Sequence, residues 1–240
     1  LGTSFEQYED IFLATEIILT YEDIEVENTA TTSVKKMDGT FLNADFAYGL
    51  IFDKRDQVFQ PTEGYRAKFT QRLPIIQDSS SISNGIDYSA YHDFSDDVIG
   101  SLKLFVNSIH GLDGDVRLTN RLYIPRKRLR GFDTFRTGPK DGQDYIGGNY
   151  VTALGVEAQL PNLLPESYRT DFSVFLDSGN VWEVDYSDSI DDSNKIRSSF
   201  GVGANVFTTI GPLSFTLAQS ITKHKQDETE TFNFRLGTSF

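Results

Sequence analysis

TFNFRLGTSF, residues 231–240, alternates without a break. Phe232, Phe234, Leu236 and Phe240 fall on one face with Thr238, while Thr231, Asn233, Arg235, Gly237 and Ser239 fall on the other. A period of two is that of a β-strand with two unlike faces. The same reading applies to YVTALGVEAQL at 150–160, whose outer set is Tyr150, Thr152, Leu154, Val156, Ala158 and Leu160. Its inner set is Val151, Ala153, Gly155, Glu157 and Gln159. In RTDFSVFLDSGNVW, residues 169–182, Phe172, Val174 and Leu176 oppose Asp171, Ser173, Phe175 and Asp177. NADFAYGLIFD at 43–53 sets Phe46, Tyr48, Leu50 and Phe52 against Asn43, Asp45, Ala47, Gly49 and Asp53.

Further strands are expected near 11–24, 65–74, 86–95, 98–109, 196–207 and 212–222, with Leu1 to Phe5 as the tail of another. No stretch with a helical period competes, so the chain is all-β. Two architectures share that signature. A soluble sandwich exposes a charged face and uses strands of about 5–6 residues. Here the strands are longer, and their polar faces carry Gly, Ser, Asn, Asp and Arg opposite Phe, Leu and Val. That is the pattern of an antiparallel up-and-down transmembrane β-barrel. Hydropathy alone reads the chain as soluble, because no run approaches the ~20 apolar residues of a membrane helix. Connections follow the barrel layout, with short turns at Ser95–Asp97 and Thr208–Pro212 on one side. Longer loops at 25–39, 76–85, 110–147, 183–195 and 222–230 are expected on the other.

Composition narrows the function classes. The chain has 240 residues and a net charge of −13, which argues against a nucleic-acid footprint. It has no Cys, so neither a disulfide framework nor a thiolate metal site can form. His92, His110 and His224 are widely separated, and no metal site or cofactor is expected. The acidic run at 185–194 lacks a calcium-loop arrangement and reads as a solvated loop. GVGANV at 201–206 is a strand rather than a dinucleotide-binding turn. No nucleophile and base pair stands near a recognisable motif, so no enzyme is expected. The first residue is Leu and no signal region follows it; with an odd strand count, this reads as an internal piece whose earlier strands lie upstream.

One loop is chemically unlike the rest. RKRLRGFDTFRTGP, residues 126–139, gathers Arg126, Lys127, Arg128 and Arg130 in an acidic chain. Arginines beside inward-facing carboxylates point to a loop folded back into the barrel, where Arg can pair bidentately away from bulk water.

Together with its neighbours, this loop resembles the BamA family of outer-membrane protein assembly factors and its bacterial surface-antigen superfamily. LRGF at 129–132 is similar to the tip of that family's sixth extracellular loop, and GGN at 147–149 to the start of the next strand. FDKRDQVFQPTEG at 52–64 resembles its D-x-R-D…P-T-x-G turn, through Asp53, Arg55, Asp56, Pro61 and Gly64. FLDSGNVW at 175–182, IGPLSFTLAQ at 210–219 and the Phe-ended last strand complete the set in order. The resemblance covers the chain as a barrel domain over 1–240, about the last ten or eleven of sixteen strands, without the first strands or the soluble periplasmic repeats.

The resemblance implies that Arg130, with Gly131 and Phe132, packs in the lumen against Glu157 and Asp177. It implies that Phe232, Phe234 and Phe240 form a C-terminal strand signal. It also implies bacterial outer-membrane localisation in contact with membrane lipid. The implied partners are nascent β-barrel proteins and the accessory lipoproteins of an assembly complex, and the implied work is their folding and insertion through a lateral seam between first and last strands. A partner-secretion or translocation pore of the same superfamily is the alternative, and a soluble β-sandwich binding module the remote one. The second LGTSF, at 1–5, reflects shared strand chemistry rather than a duplicated module.

Overall fold

The computed structural model describes residues 2–78, 80–95, 97–160, 164–165, 168–185, 190–191, 195–209 and 211–237. The strands are β1 (Gly2–Tyr8), β2 (Ile11–Ile24), β3 (Gly39–Asp53), β4 (Gly64–Gln77), β5 (Ser81–Ser95), β6 (Val98–Gly111), β7 (Lys140–Asp141), β8 (Asp144–Tyr145), β9 (Tyr150–Leu160), β10 (Thr170–Trp182), β11 (Arg197–Thr208), β12 (Gly211–Thr222) and β13 (Phe232–Leu236). One four-residue helix, α1 (Thr32–Lys35), sits between β2 and β3. Eleven strands form one sheet in chain order, every neighbour antiparallel, while β7 and β8 make a small hairpin inside the longest loop. The meander leaves β1 and β13 as its two edges.

Register explains the two faces. Leu176 pairs with Val156 on β9 and Phe200 on β11. Val202 pairs with Leu217, which in turn pairs with Phe232. These six side chains are between 47% and 54% exposed, and no second layer covers them among the described residues. An apolar band of this extent is far larger than a water-soluble surface tolerates, and it suits hydrocarbon. The next residues along each strand point the other way: Asp177 lies opposite Gly155 and Ser199, and Phe175 opposite Glu157 and Gly201.

The buried apolar cluster lies inside the curve of the sheet, where the 112–149 loop packs on it. Ile124, Leu129 and Phe132 of the loop meet Val151, Ala153 and Val181 of β9 and β10. Beyond the strand ends, Ile146, Val184 and Ile190 form a smaller cluster.

Two expectations change. The connection expected over 76–85 is short, because β4 runs to Gln77 and β5 starts at Ser81. QDSSSISN has the composition of a loop, yet Ser81 and Ser83 pair with Gly111 and Ile109 in the ladder. The first strand continues past Phe5 to Tyr8, turning at Asp10 with φ 65°. The last strand is described over Phe232–Leu236 only, and Phe240 lies outside the described residues.

Candidate functional site: a loop anchored inside the sheet

The 112–149 loop enters the sheet's concave side, and its tip is fixed by Arg130. Arg130 donates from Nε to Asp177 Oδ2 at 2.8 Å and from Nη2 to Asp177 Oδ1 at 2.9 Å. Its backbone N–H reaches the same Oδ2 at 3.0 Å, and Nη1 reaches Glu157 Oε2 at 3.0 Å. The guanidinium plane lies 3.5 Å from the Phe175 ring centroid. Ser199 donates its hydroxyl to the Arg130 carbonyl. Asp177 is 1% exposed, so its charge depends on these partners. Glu157 also accepts from Lys103 Nζ at 3.2 Å, which makes the lumen cluster two cations against two carboxylates.

Gly131 comes next with φ 89°, and a Cβ there would stand 3.0 Å from the Ala218 Cβ. The turn thus needs both a left-handed backbone and no side chain. Phe132 then inserts into the apolar cluster at 2% exposure. The structure brings Arg130, Gly131, Phe132, Glu157 and Asp177 together in one place.

Other arginines of the loop also find carboxylates. Arg128 pairs with Asp87 on β5, and Arg126 Nη1 lies 3.4 Å from Glu230 Oε2. Between the loop tip and the β3–β4 turn is a chamber of about 490 Å³, lined by Arg55, Arg66, Asp87, Lys103, Lys127, Arg128 and Glu157 among others. Sequence reading missed Asp87 and Lys103, whose inward phase on β5 and β6 was the available signal.

The β3–β4 turn is a separate structure. Asp53 accepts from Arg55 Nε at 2.8 Å and Nη2 at 2.6 Å. Asp56 accepts from the Thr62 N–H at 3.0 Å, the Glu63 N–H at 3.2 Å and Thr62 Oγ1 at 2.8 Å. Slight loss of hydration raises the Asp56 pKa, but the hydrogen bonds from Thr62, Glu63 and Gln57 outweigh it and hold the carboxyl below its ordinary value. Pro61 is half-buried where the turn re-enters, and Gly64 starts β4 at φ 88°, with a Cβ only 2.0 Å from the Lys54 carbonyl oxygen. Phe232 and Phe234 lie on the outward face of β13, away from both sites.

Above the strands, the loops hold one another. Arg121 and Asn149 donate to Asp185, as does the Val116 N–H at 2.8 Å. Burial raises the Asp185 pKa, and the Val116 N–H, Asn149 and Arg121 together outweigh it, leaving the carboxyl below its ordinary range. Asp185 therefore departs from the solvated-loop reading, while 186–189 and 192–194 lie outside the described residues. Ser33 of α1 donates to Asp141, and Thr31 to Asp144, tying the β2–β3 loop to the β7–β8 hairpin. Glu63, His92 and Asp93 gather at the β3–β4 rim with ligand atoms within 4.8 Å, all of them exposed.

A membrane-facing β-meander with an arginine-anchored loop folded into its interior defines a class of outer-membrane barrel. The whole chain, residues 1–240, matches the Omp85 superfamily domain, and the protein belongs to that superfamily. It is a bacterial outer-membrane protein. It is 28% identical over 247 residues to outer membrane protein assembly factor BamA of Neorickettsia risticii, covering 100% of this chain and 33% of that protein. It is 26% identical to the mouse (Mus musculus) sorting and assembly machinery component 50 homolog, over 68% of this chain and 37% of the relative. The chain thus spans about a third of the length of these curated relatives. The crystal structure of Haemophilus ducreyi BamA lacking POTRA domains 1–3 superposes with a TM-score of 0.83 at 23% identity, covering 97% of this chain and 52% of that one, a likeness of fold.

Proposed function

We propose that this chain is the C-terminal part of the barrel of an outer-membrane protein assembly factor, and that it acts by strand exchange rather than by catalysis. The supporting observation is the last strand. Among the described residues, β13 makes five residue pairs with β12, whereas β10 and β11 make ten. It is also an edge, with outward Phe232 and Phe234. Unpaired edge groups in lipid are costly, so the proposal includes further strands that close the barrel against β1 and β13. A seam at such an edge is the cheapest place to open, and an incoming strand satisfies the freed N–H and C=O groups by β-augmentation. In this reading the clients are nascent β-barrel chains, accessory lipoproteins deliver or regulate them, and the Arg130 cluster holds the rest of the barrel rigid while the seam moves.

The test uses the full-length protein in liposomes with an unfolded client barrel. Insertion of the client faster than into protein-free liposomes is the expected result. Passage of a soluble partner without client insertion would assign the secretion pore instead.

A further inference from the structure

A buried ion pair lies outside the Arg130 cluster, between Arg197 at the start of β11 and Asp227 in the connection between β12 and β13. Arg197 and Asp227 are 3% and 6% exposed. Arg197 donates Nε and Nη2 to the two Asp227 oxygens at 2.8 and 2.9 Å, and Nη1 to Asn180 Oδ1 at 2.7 Å. Asp227 also accepts from the His224 N–H at 2.6 Å and from the Gly138 N–H at 3.3 Å. A surface connection of nine residues does not need a buried carboxylate with this many donors merely to turn.

The residues immediately C-terminal to Asp227 are the ones this pair holds in place. The Asp133 N–H donates to the Glu228 carbonyl at 3.1 Å, and the Glu228 N–H to the Arg136 carbonyl at 2.9 Å. The Glu230 N–H donates to the Gly131 carbonyl at 3.0 Å, and Phe132 and Thr229 form an antiparallel bridge. On its other side, the Thr231 carbonyl accepts from the Ala218 N–H of β12 at 2.8 Å. Residues 228–231 are thus tied to the inward loop through Glu228, Thr229 and Glu230 and to β12 through Thr231, and β13 begins at the next residue.

We propose that Asp227 is a positioning residue for the last strand: through its pair with Arg197 it clamps the 228–231 segment onto the Arg130 loop, so that the loop's seat and the order of β13 are coupled. The coupling stands on these contacts alone. Its relevance to client insertion rests on the seam reading of the proposed function. The physical basis is that a strand opens together with the segment that leads into it, so the start of β13 is ordered by whatever fixes the residue before it.

The experiment is hydrogen–deuterium exchange on the full-length protein in detergent. In the unmodified protein, the amides of 129–133, 228–231 and 232–236 open as one unit, with a common denaturant dependence. Asp227→Asn raises exchange at 232–236 by roughly tenfold or more, as expected when a buried pair loses its charge on one side. Asp45→Asn, a comparably buried carboxylate paired with Arg72 on β4, leaves 232–236 unchanged. The proposal is overturned if 232–236 exchanges independently of 129–133 in the unmodified protein. It is equally overturned if a folded Asp227→Asn protein keeps its β13 protection. A client-insertion assay on the same variant separates the two readings: loosened β13 with unaltered insertion upholds the coupling and removes the seam.

Discussion

Arg130 uses its guanidinium on three sides, two edges on carboxylates and one face on Phe175. Only a planar fork can do this, since a lysine ammonium offers neither bidentate geometry nor a stacking surface. Arg130→Ala is expected to destabilise the barrel by about 3–5 kcal/mol, because it strands a buried Asp177. Arg130→Lys should recover only part of that. Thermal unfolding in detergent measures both, and in a cycle with Asp177→Asn the double variant should cost clearly less than the sum of the singles. Gly131→Ala forces a side chain into a left-handed backbone against Ala218, and about 1–3 kcal/mol of further loss is expected in the same assay. At this scale the sequence was partly legible. Period two alone put Glu157 and Asp177 on the inner face, and the family resemblance supplied Arg130 as their partner. The stacking of Arg130 on Phe175 was not legible, since an inward Phe in a polar lumen has no partner until the loop is placed.

For a strand, the environment of each face sets what it tolerates. Val156 faces outward near the middle of β9 at 47% exposure, and Val156→Arg is expected to cost about 2–4 kcal/mol in a bilayer. Thr70 faces inward on β4, opposite Gly49 and Gly85, and Thr70→Arg should be nearly neutral to folding. Equilibrium unfolding in lipid vesicles checks the contrast, and equal costs at both sites would reject the lipid assignment of the outer face. Element boundaries were less legible than faces. QDSSSISN reads as loop because Ser, Asn and Asp favour turns, but inward barrel positions favour the same small polar residues. The two preferences are indistinguishable over a few residues, and the ladder with β6 decides.

The molecule as a whole is closed over its long-loop side by charged contacts between connections far apart in sequence. Asp185 collects donors from Val116, Arg121 and Asn149, and α1 is tied to the β7–β8 hairpin through Asp141 and Asp144. The folded Asp185 pKa lies below its ordinary 3.8, so the unfolded loop binds a proton more readily than the folded one. Its contribution is therefore complete above that ordinary value and is lost as pH falls through the lower, folded one. Limited proteolysis of the 112–149 loop should accelerate as the pH falls below 3.8, and Asp185→Asn should remove most of that acceleration. Here almost nothing was legible in advance. The acidic run containing Asp185 has no periodicity, and its partners lie 36 to 69 residues away in sequence.

The sequence by itself determined the strand class, the inner and outer faces and the inward character of the basic loop, because a period of two and a charge contrast are local properties of the chain. Tertiary structure alone decided which carboxylate each loop arginine meets, where β4 and β5 end, and that the segment before the last strand is laced to the Arg130 loop. Those depend on registers and loop paths that bring residues together across the sheet, and no local preference encodes a partner that distant.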